Sequence, residues 1–354
     1  MRIAIRVDAS DRIGSGHVMR CLTLAERLRE TGAEVLFVCR NHTGNMQGTV
    51  KQRGFSLAAL PLVQTADDLV GYALWLGVDP ALDALQTRAA IASNGWDKID
   101  WLVVDHYGLD VSWECDLRDM VARIAVIDDL ADREHDCDVL VDQNLVADFG
   151  SRYNRLLPAR AKRLLGPGYA LLQPDYAALA ASRKTRRMQG RVLVFLGGVD
   201  QGLTLKAVQG YVAVDRFGLT CDVVVSSMNP DLSEIERIAA ERSDIRVFAS
   251  IPSLAPLMVE ADIAVGAGGA TSWERLCLGV RALVVVLAEN QRPIAEELSR
   301  RGLVSVVGDV GSVEADDFSS AIDAEFARAA APLEARDLVD GLGAARVVSA
   351  MVNG

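Results

Sequence analysis

Short runs that are apolar on both faces recur along the whole chain, each followed by a turn and a stretch with helical spacing. "WLVV" in 101–104 and "LVVVLA" in 283–288 have no polar face at all. Strands buried on both sides belong to parallel sheets covered by helices, because the crossover between parallel strands is itself a helix. The chain therefore reads as α/β. In the first half the strand runs are 2–9, 33–39, 99–107, 123–130 and 137–144, with helical segments at 80–92 and 110–121. After the first strand, Val18, Leu22, Ala25 and Leu28 recur at helical spacing, and Thr31-Gly32 ends that helix. The stretch 61–80 shows no clear period.

The texture changes at "LLGPGYALLQPDY" (164–176) and at the basic, polar "ASRKTRRMQG" (181–190). A second series of strand runs then begins, at 191–200, 221–227, 244–250, 261–269 and 280–290. A chain of 354 residues is comfortable for two domains. The expected organisation is an N-terminal domain over 1–165, a linker over 166–189 and a C-terminal domain over 190–354.

The net charge of −11 and the lack of a long basic block argue against a nucleic-acid partner. They leave room for an anionic small molecule, which backbone N–H groups can bind inside an acidic protein. The cysteines (Cys21, Cys39, Cys115, Cys137, Cys221 and Cys277) are widely spaced, with no CxxC pair. They read as reduced thiols in a cytoplasmic protein. The N-terminal apolar run is too short for a signal peptide, and no run of about 18 apolar residues suggests a membrane span.

In open parallel sheets, ligands sit beyond the carboxyl ends of the strands, and there the sequence concentrates its chemistry. "DRIGSGHVMR" puts Gly14, Ser15 and Gly16 ahead of His17, at the start of a helix. The helix dipole there disfavours a protonated ring, which suits a general base; a capping or packing histidine is the other reading. The spacing is not GxGxxG, so it gives little support to dinucleotide binding. In "VVDHYGLD", Asp105, His106 and Tyr107 follow a strand and read either as site lining or as a loop leading to a helix cap at Asp110. The acids of "IDDLADREHD" (127–136) read as solvated turn formers, since no metal-ligand spacing follows. "GAGGATSWE" brings Gly266, Gly268, Gly269, Thr271 and Ser272 to a helix start, an expected phosphate cradle, with Glu274 one turn in for ribose hydroxyls. "LAENQRP" offers Asn290 and Gln291. "FLGGVDQG" offers Gly197 and Gly198.

"RVDASDRIGSGHVMRCLTLAERL" and "GAGGATSWERLCLGV…LAENQ", with "FLGGVDQG" between them, resemble the UDP-sugar hydrolases of pseudaminic acid biosynthesis. Those enzymes cleave UDP-2,4-diacetamido-2,4,6-trideoxy-β-L-altropyranose and are similar in turn to GT-B glycosyltransferases such as MurG. The resemblance implies a GT-B-like fold of two Rossmann-like domains with parallel sheets facing across a cleft. It implies that the sugar faces the N-terminal domain and UDP binds the C-terminal one. By the same resemblance His17 activates water. Gly14, Ser15, Gly16, Asp105, Tyr107, Asn290 and Gln291 are the implied sugar-side residues. Gly197, Gly198, Gly268, Gly269, Thr271, Ser272 and Glu274 are the implied UDP-side residues. Val199 stands where the family commonly has a serine.

The expected reaction is attack of water on the anomeric carbon with inversion and release of UDP, in a pathway that supplies surface or flagellin glycosylation. No cofactor and no metal are called for, and the expected partners are a UDP-sugar and water, with no membrane insertion. The alternatives are a GT-B glycosyltransferase with a UDP-sugar donor and a non-catalytic nucleotide-sugar sensor.

Overall fold

The computed structural model describes residues 1–62, 70–182, 188–197, 201–249, 251, 253–328, 335 and 337–353. The chain divides into two compact units. The first comprises Met1–Asn144, Asp148–Leu171 and Leu342–Gly354, and the second Leu145–Ala147 and Leu172–Gly341.

The strands of the first unit are β1 (Arg2–Val7), β2 (Glu34–Arg40), β3 (Ser56–Leu60), β4 (Ile99–Asp105), β5 (Val121–Ile127), β6 (Val139–Asp142) and β7 (Lys162–Leu165). They form one parallel sheet in the order β3-β2-β1-β4-β5-β6-β7. Its helices are α1 (Gly16–Glu30), α2 (Gln47–Gln52), α3 (Ala73–Leu76), α4 (Pro80–Ser93) and α5 (Val111–Leu117). The two-faced apolar pattern has a direct cause. Ile3, Ile5 and Val7 bury on one side with Val18, Leu22, Ala25 and Leu28 of α1, whereas Ala4, Leu102 and Val104 bury on the other with Ala84 of α4 and Trp113 of α5.

The second unit has β8 (Arg191–Phe195), β9 (Thr220–Val225), β10 (Ile245–Ala249), β11 (Ile263–Ala267), β12 (Arg281–Val286) and β13 (Ser305–Asp309), all parallel, in the order β10-β9-β8-β11-β12-β13. Its helices are α6 (Pro174–Ser182), α7 (Leu203–Ala213), α8 (Leu232–Ala240), α9 (Ala255–Glu260), α10 (Thr271–Cys277), α11 (Arg292–Arg300) and α12 (Ala315–Ala327).

The last helix, α13 (Gly343–Val352), lies in the first unit rather than with the residues that precede it. Ala344, Val347, Val348 and Met351 bury in the same cluster as α1, and the Arg346 guanidinium donates to the Gly168 carbonyl at 2.8 Å. An amphipathic helix shows in sequence that it has an apolar stripe, not which sheet will cover it. The stretch 166–189, expected as a linker, carries a 3₁₀ turn at Pro167–Tyr169 and α6; residues 183–187 of it lie outside the described residues.

Candidate active site

The loop after β1 is closed on itself. Ser10 Oγ accepts from the N–H of Ile13 at 3.0 Å, and the Gly14 N–H donates to the Ser10 carbonyl at 2.8 Å. Gly14 has φ +79°, a left-handed conformation that costs glycine little and other residues more. A Cβ on Gly14 or Gly16 would meet nothing within 4 Å, and Ser15 and Gly16 are exposed, so the loop presents an open backbone surface. α1 begins at Gly16 and places His17 in its first turn, its side chain 11% exposed.

The structure joins His17 to the end of β4. His17 Nδ1 lies 2.6 Å from Asp105 Oδ1. Arg20, one turn on along α1, grips the same carboxylate with Nε and Nη2, both at 2.6 Å. Its other terminal nitrogen donates to Asp129 Oδ2 at 2.9 Å. The Tyr107 hydroxyl donates to the remaining oxygen of Asp129 at 2.5 Å. The Tyr107 ring meets the His17 ring edge-on, with centroids 4.7 Å apart. His17, Asp105, Arg20, Asp129 and Tyr107 thus form one closed ring of contacts.

Burial by itself would raise the Asp105 carboxyl; the Arg20 guanidinium and His17 outweigh it and hold the group well below the usual carboxylate range. An ionised Asp105 can only accept, so the Nδ1 that faces it at 2.6 Å is the donor of the pair and Nε2 is the ring nitrogen turned away from it. Asp105 was expected at the sugar side. It is instead fully buried, with both oxygens taken by His17, Arg20 and the Cys21 thiol, so it orients the imidazole and cannot itself reach a ligand. Tyr107 is 7% exposed, and burial followed by the charge of Asp129 pushes its hydroxyl above the usual tyrosine range. Asp128 and Asp129 also depart from the expected solvated acids. Asp128 is fully buried between Arg133 and the Tyr153 hydroxyl, each at 2.9 Å, and Asp129 serves the ring just described. His106 is buried; its Nδ1 accepts the Gly108 N–H at 3.0 Å, and burial lowers it to about 4, so it stays neutral and structural.

In the second unit, the loop after β11 and the loop after β12 come together. Gln291 lies over the glycines: a Cβ on Gly268 would sit 3.4 Å from that of Gln291, and one on Gly269 would sit 3.7 Å from its Nε2. Gln291 Oε1 also accepts the Leu287 N–H at 3.1 Å, which fixes the short turn that leaves Asn290 exposed. Gly268 was expected to offer its N–H to a phosphate; it donates instead to the Val285 carbonyl of β12 at 3.2 Å. The next residues, Gly269 and Ala270, are the more exposed part of the loop.

α10 spans seven residues, too few for a strong dipole. The positive charge here comes from Arg275, 2% exposed, which donates to the Ala267 carbonyl at 2.6 Å, Ser272 Oγ at 2.9 Å and Thr271 Oγ1 at 3.3 Å. Burial lowers this guanidinium to about 10, so it remains charged at neutral pH. Glu274 receives the Tyr176 hydroxyl from α6, and burial raises its carboxyl to about 7. Gly197 has φ +91° at the end of β8; Gly198, with Val199, lies outside the described residues.

Reading the residues singly missed Arg20, Asp129, Arg275, Tyr176, Tyr72 and Trp75. Arg20 had a signal, since its place three residues after His17 puts both on one face of α1. Arg275 had the same signal, four and three residues after Thr271 and Ser272 on α10, and the others come together only through the fold.

These features define a GT-B-like α/β protein built from two parallel-sheet units, with a histidine–aspartate pair in the first and a glycine-rich loop over a buried arginine in the second. The chain superposes on MurG of Acinetobacter baumannii over its full length and 99% of that chain, with a TM-score of 0.64 and 13% identity, which shows the shared fold. In sequence it is related to the UDP-2,4-diacetamido-2,4,6-trideoxy-β-L-altropyranose hydrolase of Campylobacter jejuni, as its end motifs implied. The two are 24% identical over 304 residues, covering 85% of this chain and 97% of the relative. The spore coat polysaccharide biosynthesis protein SpsG of Bacillus subtilis is 27% identical over 191 residues, 52% of this chain and 56% of that protein. No family model matches.

Proposed function

We propose that this chain is a UDP-sugar hydrolase whose substrate is the one in its relative's name, UDP-2,4-diacetamido-2,4,6-trideoxy-β-L-altropyranose, acting in the cytoplasm in pseudaminic acid biosynthesis for surface or flagellin glycosylation. The observation that carries this reading is the 2.6 Å contact between His17 and the buried Asp105, beside the open loop of Gly14, Ser15 and Gly16.

His17 Nε2 takes a proton from water as the water oxygen attacks the anomeric carbon. The bond from that carbon to the phosphate oxygen breaks, its electron pair leaves with UDP, and the configuration inverts. Asp105 holds the ring in the required tautomer and steadies the imidazolium that forms. Tyr107, Asn290 and Gln291 line the sugar. Gly197, Gly198, Gly269, Thr271 and Ser272 take the nucleotide, with Gly268 shaping the loop and Glu274 assigned to the ribose. Arg275 donates to both hydroxyl oxygens, which leaves each hydroxyl proton to another acceptor; the half-buried Thr271 is the better placed to donate to a diphosphate, since Ser272 is buried. The scheme calls on no metal.

The likeness to MurG favours a second reading, a glycosyltransferase with a hydroxyl acceptor. Release of UDP from the donor alone separates the two. Wild-type protein is expected to release UDP without an acceptor, and His17→Asn to lose about 10²–10⁴-fold in turnover with UDP affinity kept. Release that requires an added acceptor would establish the transferase. Equal turnover in His17→Asn would remove the base.

A further inference from the structure

Two aromatic rings meet His17 and a third, Tyr72, packs against both; two of the three come from the stretch that shows no period in sequence. Trp75 lies edge-on to His17 at 6.3 Å between centroids and tilts against Tyr107 at 5.3 Å. Tyr72 meets Trp75 and Tyr107, each at 5.0 Å. Tyr72 and Trp75 are half-buried, so part of each ring is open to a ligand.

This corner is built into the fold. Trp75 sits on α3, whose Leu76 is fully buried, and Gly77 ends the helix with φ +74°. The Tyr72 carbonyl lies so close to Gly108 that a Cβ there would be 2.7 Å from it, so the residue after Tyr107 must be small for this segment to lie down on it. The Tyr107 hydroxyl is turned away to Asp129, so what Tyr107 shows beside His17 is ring. A polar base therefore faces an apolar wall.

We infer that Tyr72 and Trp75, seated on the buried ring of Tyr107, form a stacking platform for the apolar C–H face of a pyranose ring. The inference rests on the sugar-nucleotide reading above. It assigns the sugar's contribution to affinity to two residues outside the motifs that carry the resemblance.

The test is titration of the full chain in the His17→Asn background, which separates binding from turnover. The probes are UDP and UDP-N-acetylglucosamine, which differ by the sugar. Tyr72→Ala and Trp75→Ala are expected to weaken the sugar nucleotide about tenfold while leaving UDP unchanged. Trp75→Phe, which keeps a ring, should retain most of the affinity. Unchanged sugar-nucleotide binding in both alanine variants overturns the platform, as does an equal loss for UDP. Failure of the hydrolase reading looks different: platform-dependent binding with no acceptor-free UDP release from any sugar nucleotide.

Discussion

His17 Nδ1 and Asp105 Oδ1 lie 2.6 Å apart, one at the start of α1 and the other at the end of β4. The pair gives Asp105→Asn a defined outcome. The amide leaves the shape and the Arg20 contact on one oxygen, but its NH₂ can turn toward Nδ1 and favour the wrong tautomer. Turnover should fall by about 10²–10⁴-fold with UDP affinity unchanged. Full activity in a folded Asp105→Asn would refute the orienting role.

Asp83 of α4 is the hub of a buried ionic network. Its carboxylate receives Arg6 Nε at 3.0 Å and Nη2 at 2.7 Å, Arg40 Nη2 at 2.6 Å, and the Trp113 indole at 3.1 Å, all in fully buried positions or nearly so. Asp83→Ala leaves two guanidinium groups short of a counter-charge, and removal of one partner from a buried ion pair costs about 3–5 kcal/mol. Urea denaturation should show a loss of that size. A loss below about 1 kcal/mol would mean that Asp8, which also pairs with Arg6 at 2.7 Å, carries the charge balance alone.

Gly266 cannot carry a side chain. A Cβ there would meet the Arg275 guanidinium and lie 2.9 Å from the Phe195 carbonyl, a backbone atom of the neighbouring strand. Gly266→Ala should cost about 1–3 kcal/mol, a drop in melting temperature of several degrees, and should weaken UDP by displacing Arg275. Thermal melts and a UDP titration check both; unchanged UDP affinity in a destabilised variant would divorce Arg275 from the nucleotide.

Two buried carboxyls make stability depend on pH in an unusual direction. Burial raises Glu274 to about 7, and burial followed by the charge of Asp129 raises Asp142 to about 7. Because these folded-state values lie above those of an unfolded chain, each group's contribution is full below about pH 4 and fades as pH rises through 7. Glu274→Gln and Asp142→Asn remove the titration. Each variant should therefore gain in melting temperature relative to wild type between pH 5 and pH 8. A pH-independent difference would show that the carboxyl is ionised throughout.

Most strands legible in sequence have neighbours on both sides; β10, foreseen at 244–250, is the edge strand among them. β1, β2, β4, β5, β8, β9, β11 and β12 are rich in apolar residues because both their faces are covered. β3, β7 and β13 were not foreseen; each is an edge strand, more exposed, and its sequence ("SLAAL", "KRLL", "SVVGD") lacks the two-faced signature. The same contrast runs through the site. His17 announced itself by its place after a glycine loop, a local property. The role of Asp105 did not, because that depends on a partner 88 residues away.

By itself, then, the sequence determined the parallel α/β class, the division into two sheet-forming series, and the loops at strand ends where the chemistry collects. These follow from local periodicity and from backbone freedom at glycine, which neighbouring residues settle among themselves. Only the tertiary structure decided that α13 returns to the first unit, that Asp105 serves His17 rather than a ligand, that Arg275 reaches the Ala267 carbonyl under the glycine loop, and that Trp75, backed by Tyr72, stands against the histidine. Each of those depends on which distant surfaces are buried against each other, and burial is a property of the folded chain, not of any stretch within it.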